Sequence, residues 1–323
     1  MKSDINIRIL LLVLFLSLIS ITLYSTATNA QPGTTVTRND PECTGNGGTI
    51  TPALANNRCE FTPDTQKLTF FRLDLCTSRP TGPTTSTQVV RTNCSTFFQN
   101  DSGAETEVKK GLGTAIGTAS NYTALPYGNY TFAIVTMGST FKFTTSQLFD
   151  ATMSDRTNQS TTCVTKVSSL GTIYGFETRI NTAARSNVDC TAGATAAETT
   201  IGVNTATTDG DDDCFHAVTF QGTSVNVDVY LLESDLTLLD GVGATDADQI
   251  KNGEAGCTGG ADHGITRIIG IMPLSKTLKI TPNTGGLQIK YNNTRGITKS
   301  MTGTANMIGY FDSAFFDFDL IAK

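Results

Sequence analysis

The chain has 323 residues, a net charge of -6 at neutral pH and a pI near 5.0. This acidic balance argues against a nucleic-acid partner or an anionic membrane surface, because both need clustered Lys and Arg. Only 16% of the residues are charged, and the abundance of threonine is typical of exposed strand faces. The length is enough to bury a sizeable core.

Residues 1–30 are built like an export signal. Lys2 and Arg8 charge the first part, Ile9–Tyr24 is apolar, and Thr28–Ala30 offers a small-residue cleavage site. The apolar segment falls short of the roughly 20 residues that span a bilayer, so we expect cleavage rather than a retained anchor. No later segment is apolar over that length, and we predict no membrane span after cleavage.

All eight cysteines follow the predicted signal peptide, and their number is even. In an oxidising compartment this indicates a disulfide framework. A zinc site would need C-x-x-C pairs, which the sequence lacks. Several connectivities are compatible with eight cysteines, and we favour pairing between sequence neighbours. The predicted bridges are Cys43–Cys59, Cys76–Cys94, Cys163–Cys190 and Cys214–Cys257.

Alternation with a period of two recurs along the chain, whereas helical periodicity is nearly absent. In SVNVDVYLLE (224–233) the valines alternate with polar residues, so we expect the valine face in the core and Asp228 on the opposite face. In KLTFFRLDLC (67–76) the pattern places Phe71 on the same face as Leu73 and Leu75. Further strands are predicted at 172–180, 215–220, 265–272, 277–280, 287–291 and 316–320.

These short strands, separated by turn-rich segments, predict an all-β fold. We expect an antiparallel β-sandwich with few or no helices beyond the signal peptide, because parallel sheets would need crossover helices. The best helix candidates are 104–112 and 244–252. An irregular N-terminal extension is predicted over 31–65 and a single sandwich over 66–323. Two modules divided near 150–162 are the alternative.

Two turns carry local signals. TPNTGG lies between the strands predicted at 277–280 and 287–291, which indicates a hairpin. In LPYGNY (125–130) Pro126 fixes φ and Gly128 can supply a positive φ, so the chain turns into a strand from Tyr130.

The pattern Leu-Pro-x-Gly-x-Tyr resembles the strand entry of bacterial extracellular immunoglobulin-like and prealbumin-like sandwich modules. The wider arrangement over 67–143, in which LTFFRLDLCTS, Cys94 and LPYGNYTFAIVT follow one another, resembles a group of uncharacterised secreted proteins from planktonic bacteria. This resemblance implies export and a sandwich fold. It attaches no catalytic residue.

The sequence contains no nucleophile elbow, zinc helix motif, phosphate loop or cofactor fingerprint. We interpret His216 as a strand-face residue and His263 as an ordinary loop residue. The absence of tryptophan counts against a sugar site, which commonly uses flat aromatic side chains, although tyrosine can substitute. Paired carboxylates need no fixed spacing, so a glycoside hydrolase stays open. We predict a protein without enzymatic activity and without a cofactor.

Asp209, Asp211 and Asp213 stand in alternate positions, as at the start of an EF-hand loop. The match then fails, because Cys214 stands where that loop needs glycine and Phe220 where it needs glutamate. We favour a solvated charge cluster. A calcium site at the three aspartates is the alternative hypothesis.

These observations predict an exported protein of the periplasm, the cell surface or the medium, with a structural, adhesive or surface-interaction role. Its partners would be a cell surface or further copies of the chain. One alternative is an extracellular module that binds a glycan or a small solute. Another is a secreted hydrolase with a carboxylate site.

Overall fold

A computed structural model gives the fold, and the residues it describes are 32, 35–36, 42, 59–108, 114–174, 186–203, 206–207, 213–215, 217–221, 225–238, 249–251, 265–292, 294, 296–301, 306–313 and 317–322. Residues 31–323 form one compact unit. The signal peptide at 1–30 lies outside the described residues and stays a prediction.

The fold is all-β, as predicted, and no α-helix occurs among the described residues. One short 3-10 helix covers Ala119–Asn121. The strands are β1 (Thr35–Val36), β2 (Cys59–Phe61), β3 (Thr65–Cys76), β4 (Cys94–Val108), β5 (Gly128–Gly138), β6 (Thr140–Thr144), β7 (Ser146–Ser154), β8 (Gln159–Thr165), β9 (Thr172–Tyr174), β10 (Val188–Asp189), β11 (Thr199–Gly202), β12 (Ala206–Thr207), β13 (Asp213–Phe215), β14 (Ala217–Gln221), β15 (Asn226–Leu232), β16 (Gln249–Lys251), β17 (Arg267–Ile280), β18 (Leu287–Asn292), β19 (Ile297–Met301), β20 (Ile308–Ser313) and β21 (Asp317–Ala322).

One large sheet of ten strands organises the molecule. Its order is β1-β14-β15-β17-β5-β3-β6-β11-β9, and β4 also pairs with β3. β3 is long enough to pair with both β5 and β6. Its Phe70 lies opposite Met137 of β5, and its Gln66 lies opposite Phe143 of β6. The pairs are antiparallel except β1 with β14 and β11 with β9. The antiparallel prediction therefore fits all but these two pairs of short strands.

A first core joins one face of the large sheet to two smaller sheets, β10-β8-β7 and β2-β19-β20. Leu68 and Phe143 come from the large sheet, Phe149 and Met153 from β7, and Phe311 from β20. Each of these side chains is buried, and burying one contributes about 1.5–3 kcal/mol. The two remaining sheets are β12-β13-β16 and β18-β21. The finer expectation of a two-sheet sandwich stays a prediction.

A second, smaller core lies against other residues of the large sheet, including Ile134, Ile269 and Ile271. Residues 77–93, named the covering loop from here on, contribute Val89 to this core. The covering loop is a narrow hairpin with isolated bridges between Thr81 and Val90 and between Thr84 and Thr87. It packs beside the turn after β15, where Leu238 N–H donates to Thr84 O at 3.0 Å.

Two of the predicted disulfides, Cys76–Cys94 and Cys163–Cys190, are confirmed. Cys76 and Cys94 are direct cross-strand partners in β3 and β4, so their bridge closes the covering loop at its base. Cys59 is also disulfide-bonded, while Cys43, its predicted partner, lies outside the described residues. The Cys214–Cys257 bridge stays a prediction, because Cys257 lies outside them as well.

The face predicted for Phe71 was wrong. The register of β3 shifts between Phe70 and Arg72 against both neighbouring strands, which is a β-bulge at Phe71. Phe70, Leu73 and Leu75 consequently belong to the first core, and Phe71 does not. A period of two identifies a face only while the register is unbroken.

The prediction of a hairpin around TPNTGG was also wrong. Residues 277–280 form the end of β17, which pairs with β5, whereas β18 pairs with β21. The segment does turn, since Thr284 N–H donates to Thr281 O at 3.0 Å, but it carries the chain from one sheet to another. Gly128 begins β5 without a positive φ, so the LPYGNY corner does not use the freedom of glycine.

Three segments form strands where the sequence predicted helix or irregular structure. Residues 104–108 of the helix candidate 104–112 belong to β4 and pair with β3. Residues 249–251 of the candidate 244–252 form β16. The segment 31–65 contributes β1 and β2, which pair with β14 and β19. Near the alternative boundary at 150–162, β7 and β8 pair with each other.

Candidate functional site

Two aspartates are buried on the large sheet beneath the covering loop. Asp74 in β3 is 0% exposed and Asp228 in β15 is 3% exposed. We expected the valines of β15 in the core and Asp228 on the opposite face, outside the core. The valine face does pack on the first core, through Val227 and Val229, but the second core covers the opposite face as well, so the expectation for Asp228 was wrong in that respect. β15 lies between β14 and β17, and Leu231 and Tyr230 on its two faces belong to the first and second cores. Val227 is only partly buried.

The cross-strand register places both carboxylates in one row. Asp74 lies opposite Ile134, which lies opposite Ile271, and Ile271 lies opposite Asp228. The complete row, from β4 to β14, is Thr96, Asp74, Ile134, Ile271, Asp228 and Thr219. Three strand spacings separate the aspartates by about 14 Å. Glycosidases need about 5–10 Å between carboxylates, so these two do not form such a pair.

Asp74 accepts hydrogen bonds from two arginines and a threonine. Arg72 Nε donates to both carboxylate oxygens at 2.8 and 2.9 Å, and Arg91 Nε donates to Oδ2 at 2.9 Å. Thr96 Oγ1 donates to Oδ1 at 2.8 Å. These contacts fill the roughly four acceptor positions of a carboxylate. Burial lowers the pKa of Arg91, and the nearby charge of Arg72 acts in the same direction, while Asp74 opposes both.

In the described part of the chain, one arginine contacts Asp228, whereas two contact Asp74. Thr219 Oγ1 donates to Oδ1 at 2.7 Å, and Arg79 forms an ion pair with Oδ2. Burial raises the pKa of Asp228, and the contacts with Thr219 and Arg79 oppose that change. Burial also raises the pKa of Tyr230 well above its ordinary value, and the charge of Asp228 adds to this effect. The Arg79 guanidinium lies 5.9 Å from the ring centroid of Phe132.

The covering loop supplies one arginine to each aspartate. Arg79, near its start, reaches Asp228, and Arg91, near its end, reaches Asp74. The loop also approaches the sheet closely at Gly82, where a Cβ atom would lie 2.3 Å from the Tyr230 hydroxyl. Two ion pairs and a disulfide therefore hold the loop on the second core.

Two of the three predicted metal ligands lie outside the described part of the chain. Asp209 and Asp211 lie outside the described residues, as do His216 and His263. Asp213 lies in β13, opposite Lys251 of β16. Within the described part of the chain, no group of three or more His, Cys, Asp or Glu residues could hold a metal ion. The calcium site stays a hypothesis.

The residues of this site were not singled out from the sequence. A usable signal was present, because Asp74 and Asp228 stand in the apolar runs LDL and VDV. Aspartate is depleted in strands and is seldom fully buried unless it is paired. A charge within such a run therefore indicates a partner elsewhere in the chain, although it does not identify Arg79 or Arg91.

No family model, curated protein or solved structure matches the chain. The resemblance to secreted immunoglobulin-like proteins therefore stays a prediction. In the part of the chain that the structure describes, no helix has the length and apolar character needed to cross a membrane.

Proposed function

We propose that the chain is an exported, non-enzymatic β-protein that contacts a surface, either that of a cell or that of another copy of itself. The observation that carries the proposal is the disulfide framework: Cys76, Cys163 and Cys190 are each 0% exposed and bonded. Disulfides persist in the periplasm and outside the cell, and they are rare in the cytosol.

An exposed tyrosine is our candidate for the residue that contacts the surface. Tyr127, at the LPYGNY corner, is 71% exposed. Tyrosine is enriched in protein interfaces because its ring is apolar and its hydroxyl forms hydrogen bonds. We place the contact at this corner.

The uncovered polar part of the large sheet is a less suitable contact surface. Lys67 pairs with Glu198 and Lys142 with Glu105, both at 2.6 Å. These opposite charges balance one another, and surface pairs of this kind contribute about 0–1 kcal/mol. Such a surface favours solvation over attachment.

Export and contact are tested separately. Fractionation of the native cells should recover a mature chain that starts near residue 31, without free thiols, outside the cytoplasm. The purified protein should then bind intact cells or itself, and Tyr127→Ser should weaken that binding. Val167→Ser is the matched control, since Val167 is 68% exposed. A reduced cytoplasmic chain, or equal binding by both variants, would contradict the proposal.

The second candidate is an extracellular ligand-binding module. The observation that favours it is the unequal charge around Asp74, where two arginines meet one carboxylate.

A further inference from the structure

We propose that Arg72 and Arg91 form a binding subsite for an oxyanion group, which is a sulfate, phosphate or carboxylate. The natural source of that group rests on the binding role proposed above. The subsite itself rests on charge, unused donors and exposure.

The first argument is charge. Arg72, Arg91 and the fully buried Asp74 together carry one excess positive charge. The two guanidinium groups lie close enough for the charge of Arg72 to act on Arg91. A bound anion removes this repulsion. It does so in a chain whose net charge of -6 gives no general attraction for anions.

The second argument is the supply of donors. Each arginine meets Asp74 through its Nε, and one Nη of each makes a further contact, Arg72 to Thr96 and Arg91 to Val89 O. Within the described residues, Arg72 Nη1 and Arg91 Nη2 have no hydrogen-bond partner. Guanidinium N–H groups match the oxygens of carboxylate and phosphate groups in geometry.

The third argument is access. The side chains of Arg72 and Arg91 are 31% and 18% exposed, while Asp74 beneath them is closed to solvent. The carboxylate therefore fixes the arginines from the sheet side, and their outer edges face the ligand. The hydroxyl of Thr136, the cross-strand neighbour of Arg72, is buried without a partner in the described structure.

The other end of the same row provides an internal comparison. Asp228 has one arginine, Arg79, so that pair is neutral. It lies under the same loop and has a matching threonine contact from Thr219. An anion that binds through local excess charge should select the Asp74 end.

The test follows the arginine Nε–Hε signals by NMR in the oxidised mature protein. Inorganic sulfate replaces chloride at constant ionic strength. The Arg72 and Arg91 signals should shift with saturation, and the Arg79 signal should not. Arg91→Gln should weaken sulfate binding at least tenfold, which is about 1.4 kcal/mol. Lys279→Gln, which removes an exposed positive charge elsewhere, should leave it unchanged.

Absence of a saturable shift at Arg72 and Arg91 overturns the proposal, and so does an equal shift at Arg79. The wild-type measurement stands even where Arg91→Gln fails to fold.

Acetate, phosphate, dextran sulfate and uncharged dextran then distinguish the sources of the oxyanion group. Tighter binding of dextran sulfate than of sulfate identifies a polymer-borne group, and equal binding identifies a free anion. If sulfate binds while intact cells and further copies are not bound, the subsite stands and the surface role falls.

Discussion

Replacing Arg79 with methionine should destabilise the protein more than replacing its partner Asp228 with asparagine. Arg79→Met leaves a carboxylate that is 3% exposed, and among the described residues its remaining side-chain partner is the Thr219 hydroxyl. Removing one member of a buried ion pair costs about 3–5 kcal/mol. Because the Arg79 side chain is 26% exposed, we expect the lower end, about 3 kcal/mol.

Asp228→Asn leaves no buried charge without a partner. The asparagine oxygen can still accept from Thr219, and Arg79 can extend into water. The loss is that of charge-assisted hydrogen bonds, about 1.5–3 kcal/mol, reduced by the renewed solvation of Arg79. In the double variant the isolated buried charge is absent, so the two costs should not add.

The penalty in Arg79→Met should depend on pH with a defined sign. Burial raises the pKa of Asp228, and loss of Arg79 removes an opposing influence. Between the unfolded pKa, about 3.9, and the higher folded pKa, the native state binds more protons than the unfolded state. Stability therefore rises as pH falls through this window. The gap between the stabilities of wild type and Arg79→Met should be largest at pH 7 and smaller near pH 4.5, because protonation removes the unpaired charge of Asp228.

Urea unfolding followed by far-UV circular dichroism at both pH values measures these differences. The reasoning is refuted if Asp228→Asn costs as much as Arg79→Met at pH 7. It is also refuted if the Arg79→Met penalty is the same at the two pH values.

Three further predictions concern stability. Replacing Cys76 and Cys94 together by alanine opens a loop with a sequence separation of 18, which the chain-entropy relation values at about 3 kcal/mol in urea unfolding. Gly82→Ala places a Cβ 2.3 Å from the Tyr230 hydroxyl and should lower Tm, with an overpacking cost of about 1–3 kcal/mol. Burial would raise the pKa of Asp155, but hydrogen bonds, mainly from backbone N–H groups, lower it overall, so its contribution is complete above about pH 4 and is lost as pH falls through the folded pKa. Asp155→Asn should therefore cost most at pH 7 and least near pH 2.

Each of these has a control or a contrary result. Gly286→Ala should leave Tm nearly unchanged, because a Cβ atom at that residue would meet no atom of a more distant residue within 4 Å. A cost below about 1 kcal/mol for the paired cysteine replacement would contradict the entropic account. For Asp155, a penalty that stays constant between pH 7 and pH 2 would show that its hydrogen bonds matter only through geometry.

The all-β class and the Cys76–Cys94 bridge were accessible from the sequence because they depend on near neighbours. Strand alternation is local, and the Cys76–Cys94 bridge joins residues that face each other across adjacent strands. The Arg91–Asp74 ion pair joins residues only 17 apart, yet nothing in the sequence singled it out, because several arginines lie within that distance of Asp74.

The rest depends on pairings between distant segments. The bulge at Phe71 is defined only by the strands on either side of β3. Arg79 and Asp228 are 149 residues apart, and they meet because β3, β5, β17 and β15 lie side by side. No pattern within β15 specifies that order, so Asp228 looked like a residue on a solvent face.

The covering loop has a consequence for proteolysis. Its tip contains the exposed residues Ser86, Thr87 and Gln88, and exposed loop tips are preferred sites of nicking. A cut there leaves Cys76 on one fragment and Cys94 on the other, so the disulfide keeps both fragments in one covalent molecule. Each cut end also retains its own arginine anchor. The nicked protein would migrate as two pieces only after reduction, and the tip is a suitable place to insert a label or a foreign peptide.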